Sequence, residues 1–223
     1  MAAKHKSDRK RIFIVDDHPM MRHGLAQLID SEPDLTVCAE ADSAGQALDA
    51  VARQKFDLVL LDISLPDKNG LELIKDLQVL KPGLPVLVVS MHDELLYAER
   101  VLRAGGRGYI MKQEGGRKFL QAIRQVLDGQ VYVSDKMSAR ILENISGRRR
   151  DLASPVQRLS DREFEVFQLI GQGKGTRDIA QSLRLSVKTI AVHRVNIKRK
   201  LNLKTANDLV SHAIRWVEVE GKR

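Results

Sequence analysis

The chain of 223 residues contains one cysteine, Cys38. A single thiol cannot close an internal disulfide, and its setting in the strand-like run TVCAEA marks it as a small core residue. Long apolar runs are also missing: none approaches the ~18 residues that a membrane span requires. The opening segment AAKHKSDRKR is polar and basic, without the apolar stretch of a secretory signal. These absences lead to the expectation of a soluble cytoplasmic protein with no membrane partner.

Hydrophobic residues make up 43% of the chain, enough for each part to build a core, and the length suits two domains. Charge is divided unevenly. Residues 147–223 carry 17 Lys and Arg against 8 Asp and Glu, whereas residues 1–146 carry 20 against 21. Five of those 20 lie in residues 1–11, read as a disordered basic arm, so residues 12–146 carry a net negative charge. An acidic domain joined to a strongly basic one suggests that the second binds nucleic acid.

The acidic part is organised around FDLVLLDISLPDKNG, residues 56–70. Leu58 to Leu61 is apolar throughout and too short for a helix, the pattern of a strand buried on both faces in a parallel sheet. It ends on Asp62, after which Pro66, Asn69 and Gly70 turn the chain. Taken alone, Asp62 reads equally well as a cap or as part of a site. Further strands are expected at 12–15, 35–41, 86–91 and 108–111. Helices are expected at 20–29, from Ser43, at 71–80, 95–104 and 119–127. Such alternation implies a parallel sheet with helices on both faces. The strands end on Asp16-Asp17, Asp62, Ser90 and Lys112. In open parallel sheets chemistry gathers at the carboxyl ends of the strands. Three carboxylates with one ammonium suit a hard divalent cation, Mg²⁺ or Mn²⁺.

These residues resemble the receiver domain of bacterial response regulators over 12–130, with Pro66, Gly70 and Tyr109 also in the expected places. The resemblance implies a flavodoxin-like fold with strand order 2-1-3-4-5. It implies that Asp62 accepts a phosphoryl group from a sensor histidine kinase. Asp16, Asp17, Asp62 and the Ser64 backbone carbonyl would hold the metal, and Lys112 and the Ser90 hydroxyl would bind phosphoryl oxygens. Movement of Ser90 would let Tyr109 turn inward. Many relatives carry a cis proline where this chain has Gln113, and the isomer there stays open.

Asp135 to Ile145 reads as another helix, and residues 131–158 together as a helix and flexible linker. The basic part, 159–223, opens with Ser160 and Glu163 at capping-box spacing and with Leu159 as a staple. Thr176 is read as the cap of a short helix with Ile179, Ala180 and Leu183 buried. A brief turn leads to a second helix, 187–201, making a helix-turn-helix. At about 100° per residue, Ile190, Ile197 and Leu201 share a core-facing arc. Lys188, Ala191, Val192, Val195 and Arg199 lie opposite, flanked by Thr189, Arg194, Asn196 and Lys198, which can reach phosphates. A final helix is expected over 205–216.

Residues 159–217 closely resemble the LuxR-type four-helix DNA-binding domain. A receiver with this output is similar to the NarL/FixJ family of transcriptional regulators. That resemblance places base-reading positions at Ala191, Val192 and Val195, all small and apolar where several relatives carry Lys or Arg. It suggests Leu209, Val210 and Ala213 on the last helix as a dimer element. The expected partners are promoter DNA, a second copy after phosphorylation, and RNA polymerase. Three other readings are weaker. A haloacid-dehalogenase-type phosphatase needs a second Asp where Ser64 stands. An RNA-binding antiterminator output lacks the pattern at 159–217. A receiver controlled by protein or ligand contact without phosphorylation would not need the full acceptor set. The protein is not expected to be a turnover enzyme.

Overall fold

The computed structural model describes residues 9–145 and 155–220. Positions 1–8, most of the expected linker at 146–154, and 221–223 lie outside the described residues. The chain forms two compact units, Met1–Ile141 and Leu142–Arg223.

The first unit is built on five parallel strands in the order β2-β1-β3-β4-β5. These are β1 (Lys10–Val15), β2 (Leu35–Ala41), β3 (Leu58–Leu61), β4 (Val86–Ser90) and β5 (Gly108–Met111). Each is followed by a helix: α1 (Pro19–Asp30), α2 (Ala44–Arg53), α3 (Gly70–Leu80), α4 (Glu94–Ala104) and α5 (Gly116–Leu127). All four residues of β3 are buried, as a central strand covered on both faces requires. Ile12, Ile14, Leu58, Leu60, Leu87 and Val89 pack with Leu25 and Ile29 of α1 and with Phe119, Ile123 and Val126 of α5. The alternate residues Phe13, Val15, Val59, Leu61 and Val88 are also buried and point to the other face. Truncating one of these side chains, as in Leu60→Ala, would cost about 2–5 kcal/mol.

Of the boundaries that differ from those expected, two alter the limits of the first unit. β1 starts at Lys10, so Lys10 and Arg11 belong to the sheet and not to a disordered arm. Their backbone groups are held: the Lys10 N–H donates to the Asp34 carbonyl at 2.9 Å and the Arg11 N–H to Asp57 Oδ2 at 2.7 Å. The side chains stay exposed, which is why hydropathy missed them. Likewise, residues 131–134 are not a free linker. The Tyr109 N–H donates to the Tyr132 carbonyl, the Tyr132 N–H to the Arg107 carbonyl, and the Ser134 N–H to Glu94 Oε1. These bonds cover the open edge of β5 and lead into α6 (Asp135–Ile145), whose Met137 is fully buried.

The second unit begins before residue 159. A 3₁₀ helix, Pro155–Arg158, buries Val156. Four helices follow: α7 (Asp161–Gly171), α8 (Thr176–Ser182), α9 (Val187–Lys200) and α10 (Ala206–Glu220). Ser160 caps α7 through the full capping box with Glu163. Gly175, not Thr176, is the N-cap of α8; Thr176 is its first helical residue, and the Gly175 N–H is held by Asp178 at 3.1 Å. Leu183 is half-buried. Arg184 adopts a left-handed conformation (φ 51°) between α8 and α9, and Ser186 caps α9. Trp216 of α10 meets the edges of Phe164 and Phe167 of α7, with ring centroids 5.5 Å apart in each pair. Gly171 makes this packing possible, because a Cβ there would sit 2.5 Å from the Ala213 carbonyl oxygen. Among the described residues no helix is long and apolar enough to cross a membrane.

Candidate functional site

Four strand ends meet at one edge of the sheet, those of β1, β3, β4 and β5. The Asp62 N–H donates to the Val15 carbonyl at 2.8 Å, which seats the end of β3 beside Asp16 and Asp17. The Lys112 N–H donates to the Ser90 carbonyl at 2.8 Å, tying the end of β5 to that of β4. Lys112 Nζ then reaches Asp16 Oδ2 and Asp62 Oδ2, each at 2.7 Å. All three side chains are buried, with 2–4% of their surface exposed. Burial alone would weaken the Lys112 ammonium. The two carboxylates more than offset that and hold its pKa above the ordinary lysine value.

Behind Asp62 the chain turns tightly. Asn69 caps α3 by accepting from the Leu71 N–H, and Gly70 lies against the Asp62–Ile63 backbone. A Cβ on Gly70 would be 2.6 Å from Ile63 Cα and 2.9 Å from the Asp62 carbonyl oxygen. Only a residue without a side chain lets α3 start there.

Asp16, Asp17, His18 and Asp62 each present one donor atom, all within 4.8 Å of one another. Asp16 Oδ2 and Asp17 Oδ1 are buried and accept no well-formed hydrogen bond. Lys112 Nζ lies 2.7 Å from Asp16 Oδ2, and His18 Nδ1 lies 2.7 Å from Asp17 Oδ1. Carboxylate oxygens gathered this closely fit a hard divalent cation, and receiver domains generally bind Mg²⁺ in such an acidic pocket. The His18 nitrogen suits Mg²⁺ less well than the oxygens do. Its backbone N–H donates to Asp16 Oδ1 at 2.8 Å, so it also orients that carboxylate. Sequence reading passed over His18, although its place directly after Asp17 at a strand end was a usable signal. It also missed Arg22, whose Nη1 donates to the Asp16 carbonyl.

Ser64 lies at the mouth of the pocket, with its N–H donating to Asp62 Oδ1 at 3.2 Å. Its Oγ is 3.0 Å from His92 Nε2. The His92 N–H donates to Ser90 Oγ at 3.2 Å, and the ring stacks on Tyr97. Burial lowers the His92 pKa; Asp62 raises it and Lys112 lowers it further. Tyr109 is fully buried, and its hydroxyl donates to the His92 carbonyl at 2.7 Å. Burial pushes its pKa well up, against the pull of Ser90. No cis peptide bond occurs among the described residues, so Lys112–Gln113 is trans.

In the second unit, α9 presents the expected division of faces. Ile190 and Ile197 are fully buried and Leu201 nearly so. Lys188, Ala191, Val192, Val195 and Arg199 are exposed, while Thr189, Arg194, Asn196 and Lys198 are half-buried beside them. The Thr189 hydroxyl is engaged with Ser186 Oγ at 2.8 Å, part of the helix cap. The residues suggested for a dimer element need correction. Leu209 and Ala213 have no exposed surface, because α7 takes up that face of α10 within the same unit. Of the three only Val210 retains partial exposure.

Comparison with known proteins agrees with both halves. Residues 12–124 match the response regulator receiver domain, and residues 157–213 match the luxR family of bacterial regulatory proteins. The oxygen regulatory protein NreC of Staphylococcus haemolyticus is 34% identical over 210 residues, covering 92% of this chain and 97% of that protein. A LuxR-family two-component response regulator from Aurantimonas shares 31% identity with a TM-score of 0.58, over 62% of this chain and 99% of the other. The RcsB response regulator of Salmonella typhimurium shares 25% identity with a TM-score of 0.57, over 92% and 98%. The chain belongs to the NarL/FixJ family of two-component response regulators, in which a receiver domain is followed by a LuxR-type DNA-binding domain.

Proposed function

We propose that the chain is a phosphorylation-controlled transcription regulator in which Asp62 is the phosphoacceptor. The observation that carries this reading is Lys112 Nζ, 2.7 Å from the carboxylates of both Asp16 and Asp62 in a buried pocket at the sheet edge. Phosphoryl transfer asks a protein mainly for positioning and for neutralisation of charge.

A carboxylate oxygen of Asp62 attacks the phosphorus of a phosphohistidine on a sensor kinase. The new O–P bond forms as the N–P bond breaks, and the imidazole nitrogen leaves with the bonding pair and takes up a proton. Asp16, Asp17, Asp62 and the Ser64 carbonyl would hold a divalent cation, which when bound supplies positive charge opposite the phosphoryl oxygens. Lys112 gives up one of its two carboxylate contacts and pairs with a phosphoryl oxygen. The Ser90 hydroxyl donates to another, drawing the loop that carries His92 toward the pocket. The His92 carbonyl holds the Tyr109 hydroxyl, so this movement is transmitted to Tyr109 and the α4 face. The output is α9 presented to the major groove of promoter DNA, by a dimer that forms or rearranges on phosphorylation.

Intact mass after incubation with Mg²⁺ and acetyl phosphate tests the reading. Wild type gains one phosphoryl group and Asp62→Asn gains none. An equal gain in the variant would move the acceptor elsewhere. No gain in wild type, either from acetyl phosphate or from a phosphorylated histidine-kinase domain, would leave control by protein or ligand contact in its place.

A further inference from the structure

The recognition face of α9 is apolar at its centre. Val192 is 53% exposed and Val195 60%, and Ala191 is exposed beside them. At about 100° per residue the three fall on one arc roughly 100° wide. Arg194 and Lys198 border that arc on one side, and Asn196 and Thr189 on the other. Lys188 and Arg199 lie at its two ends, about 16 Å apart along the helix axis. In water such a stripe loses free energy at each exposed methyl group, and among the described residues nothing in its own domain covers it. The cations around it mark what does: a polyanion whose surface includes apolar groups at the depth a helix reaches. The floor of the DNA major groove fits, and the one apolar group it offers is the C5 methyl of thymine.

We infer that this helix reads thymine methyl groups through Ala191, Val192 and Val195, and that its specific sites carry at least two thymines opposite these side chains. This deepens the proposed DNA-binding function and rests on it. None of the three side chains has a donor or an acceptor. None can form the paired bonds to guanine O6 and N7 or to adenine N6 and N7 that polar residues make. Affinity therefore comes chiefly from Lys188, Arg194, Lys198 and Arg199 at phosphates, and sequence choice from methyl burial at the centre.

The test is selection of sites from a random duplex library with the full-length phosphorylated protein, followed by replacement of each selected thymine with uracil. Uracil removes only the methyl group and preserves every hydrogen-bonding position. At two or more positions the replacement should weaken binding about four-fold, the effect of one buried methyl. In Val192→Ala, an exposed substitution that leaves the core intact, the preference for thymine over uracil at one of them should disappear. Selected sites that tolerate uracil throughout, or that present guanine without thymine opposite α9, overturn the inference while leaving the DNA-binding function standing. Failure to enrich any duplex sequence overturns both.

Discussion

Ser64 Oγ and His92 Nε2 stand 3.0 Å apart, joining the loop after β3 to the loop after β4 across the mouth of the acidic pocket. The His92 ring is held over this position by stacking on Tyr97, with centroids 4.8 Å apart. A phosphoryl group on Asp62 would lie behind this pair, shielded from water. Ser64→Ala and His92→Ala should each shorten the life of the phosphorylated protein several-fold. The double variant should do little more than either single one, because both remove the same contact. Loss of the added mass with time measures it, and unchanged lifetimes would show that the pair does not guard the site.

Lys112 is the ammonium shared by Asp16 and Asp62. Lys112→Ala leaves two buried carboxylates facing each other without their counter-ion, at a cost of about 3 kcal/mol. A divalent cation that binds only the folded chain should recover part of this loss. Thermal unfolding should therefore show Mg²⁺ raising the midpoint more in the variant than in wild type, with EDTA reversing the gain. Equal shifts in the two proteins would mean that lysine and metal do not compete for these oxygens.

Glu163 closes the capping box of α7 and receives Lys200 Nζ at 2.6 Å with only 6% of its side chain exposed. Burial would raise its pKa, but Lys200 and the Ser160 N–H outweigh that, and the net direction is down from 4.5. A depressed carboxylate stabilises the fold fully above its unfolded pKa and loses that contribution as pH falls through the folded value. The second domain should therefore weaken below about pH 4.5, and Glu163→Gln should flatten that acid limb while costing about 1–2 kcal/mol at neutral pH. The chain has one tryptophan, Trp216, seated between Phe164 and Phe167, so its fluorescence in urea titrations reports this domain alone. An acid limb of unchanged slope in the variant would remove Glu163 from the account.

Gly171 faces the Ala213 carbonyl at the contact of α7 with α10. Backbone cannot yield as a flexible side chain does, so Gly171→Ala should cost about 1–3 kcal/mol by overpacking. The same fluorescence titration measures it, and phosphorylation of Asp62 in the other domain should be untouched. Full retention of stability would mean that α10 shifts freely along α7.

The strands were legible where an apolar run is bounded by polar or turn residues, as at 35–41, 58–61 and 108–111. The core arc of α9 was legible because Ile197 and Leu201 follow Ile190 by about two and three whole helical turns. Other features depend on partners distant in sequence. His92 gains its place from Ser64, 28 residues earlier, and no local pattern announces that pair. Lys10 and Arg11 form strand through backbone bonds alone, which side-chain hydropathy does not register. Leu209 and Ala213 carried a genuine apolar signal, but apolarity does not say whether a neighbouring helix or a second copy covers it. Here Phe164 and Phe167 bring α7 onto that face. Strand order likewise came from family resemblance, since local spacing leaves the crossovers undetermined.

Tyr109 lies fully inside the receiver, anchored to the His92 carbonyl. The anchor is main chain, so it does not depend on which side chain stands at position 92. His92→Ala removes the imidazole from Ser64 and leaves this tether in place. The line from the Ser90 loop to Tyr109 is therefore written in the course of the backbone, and it tolerates substitution at the residue that carries it.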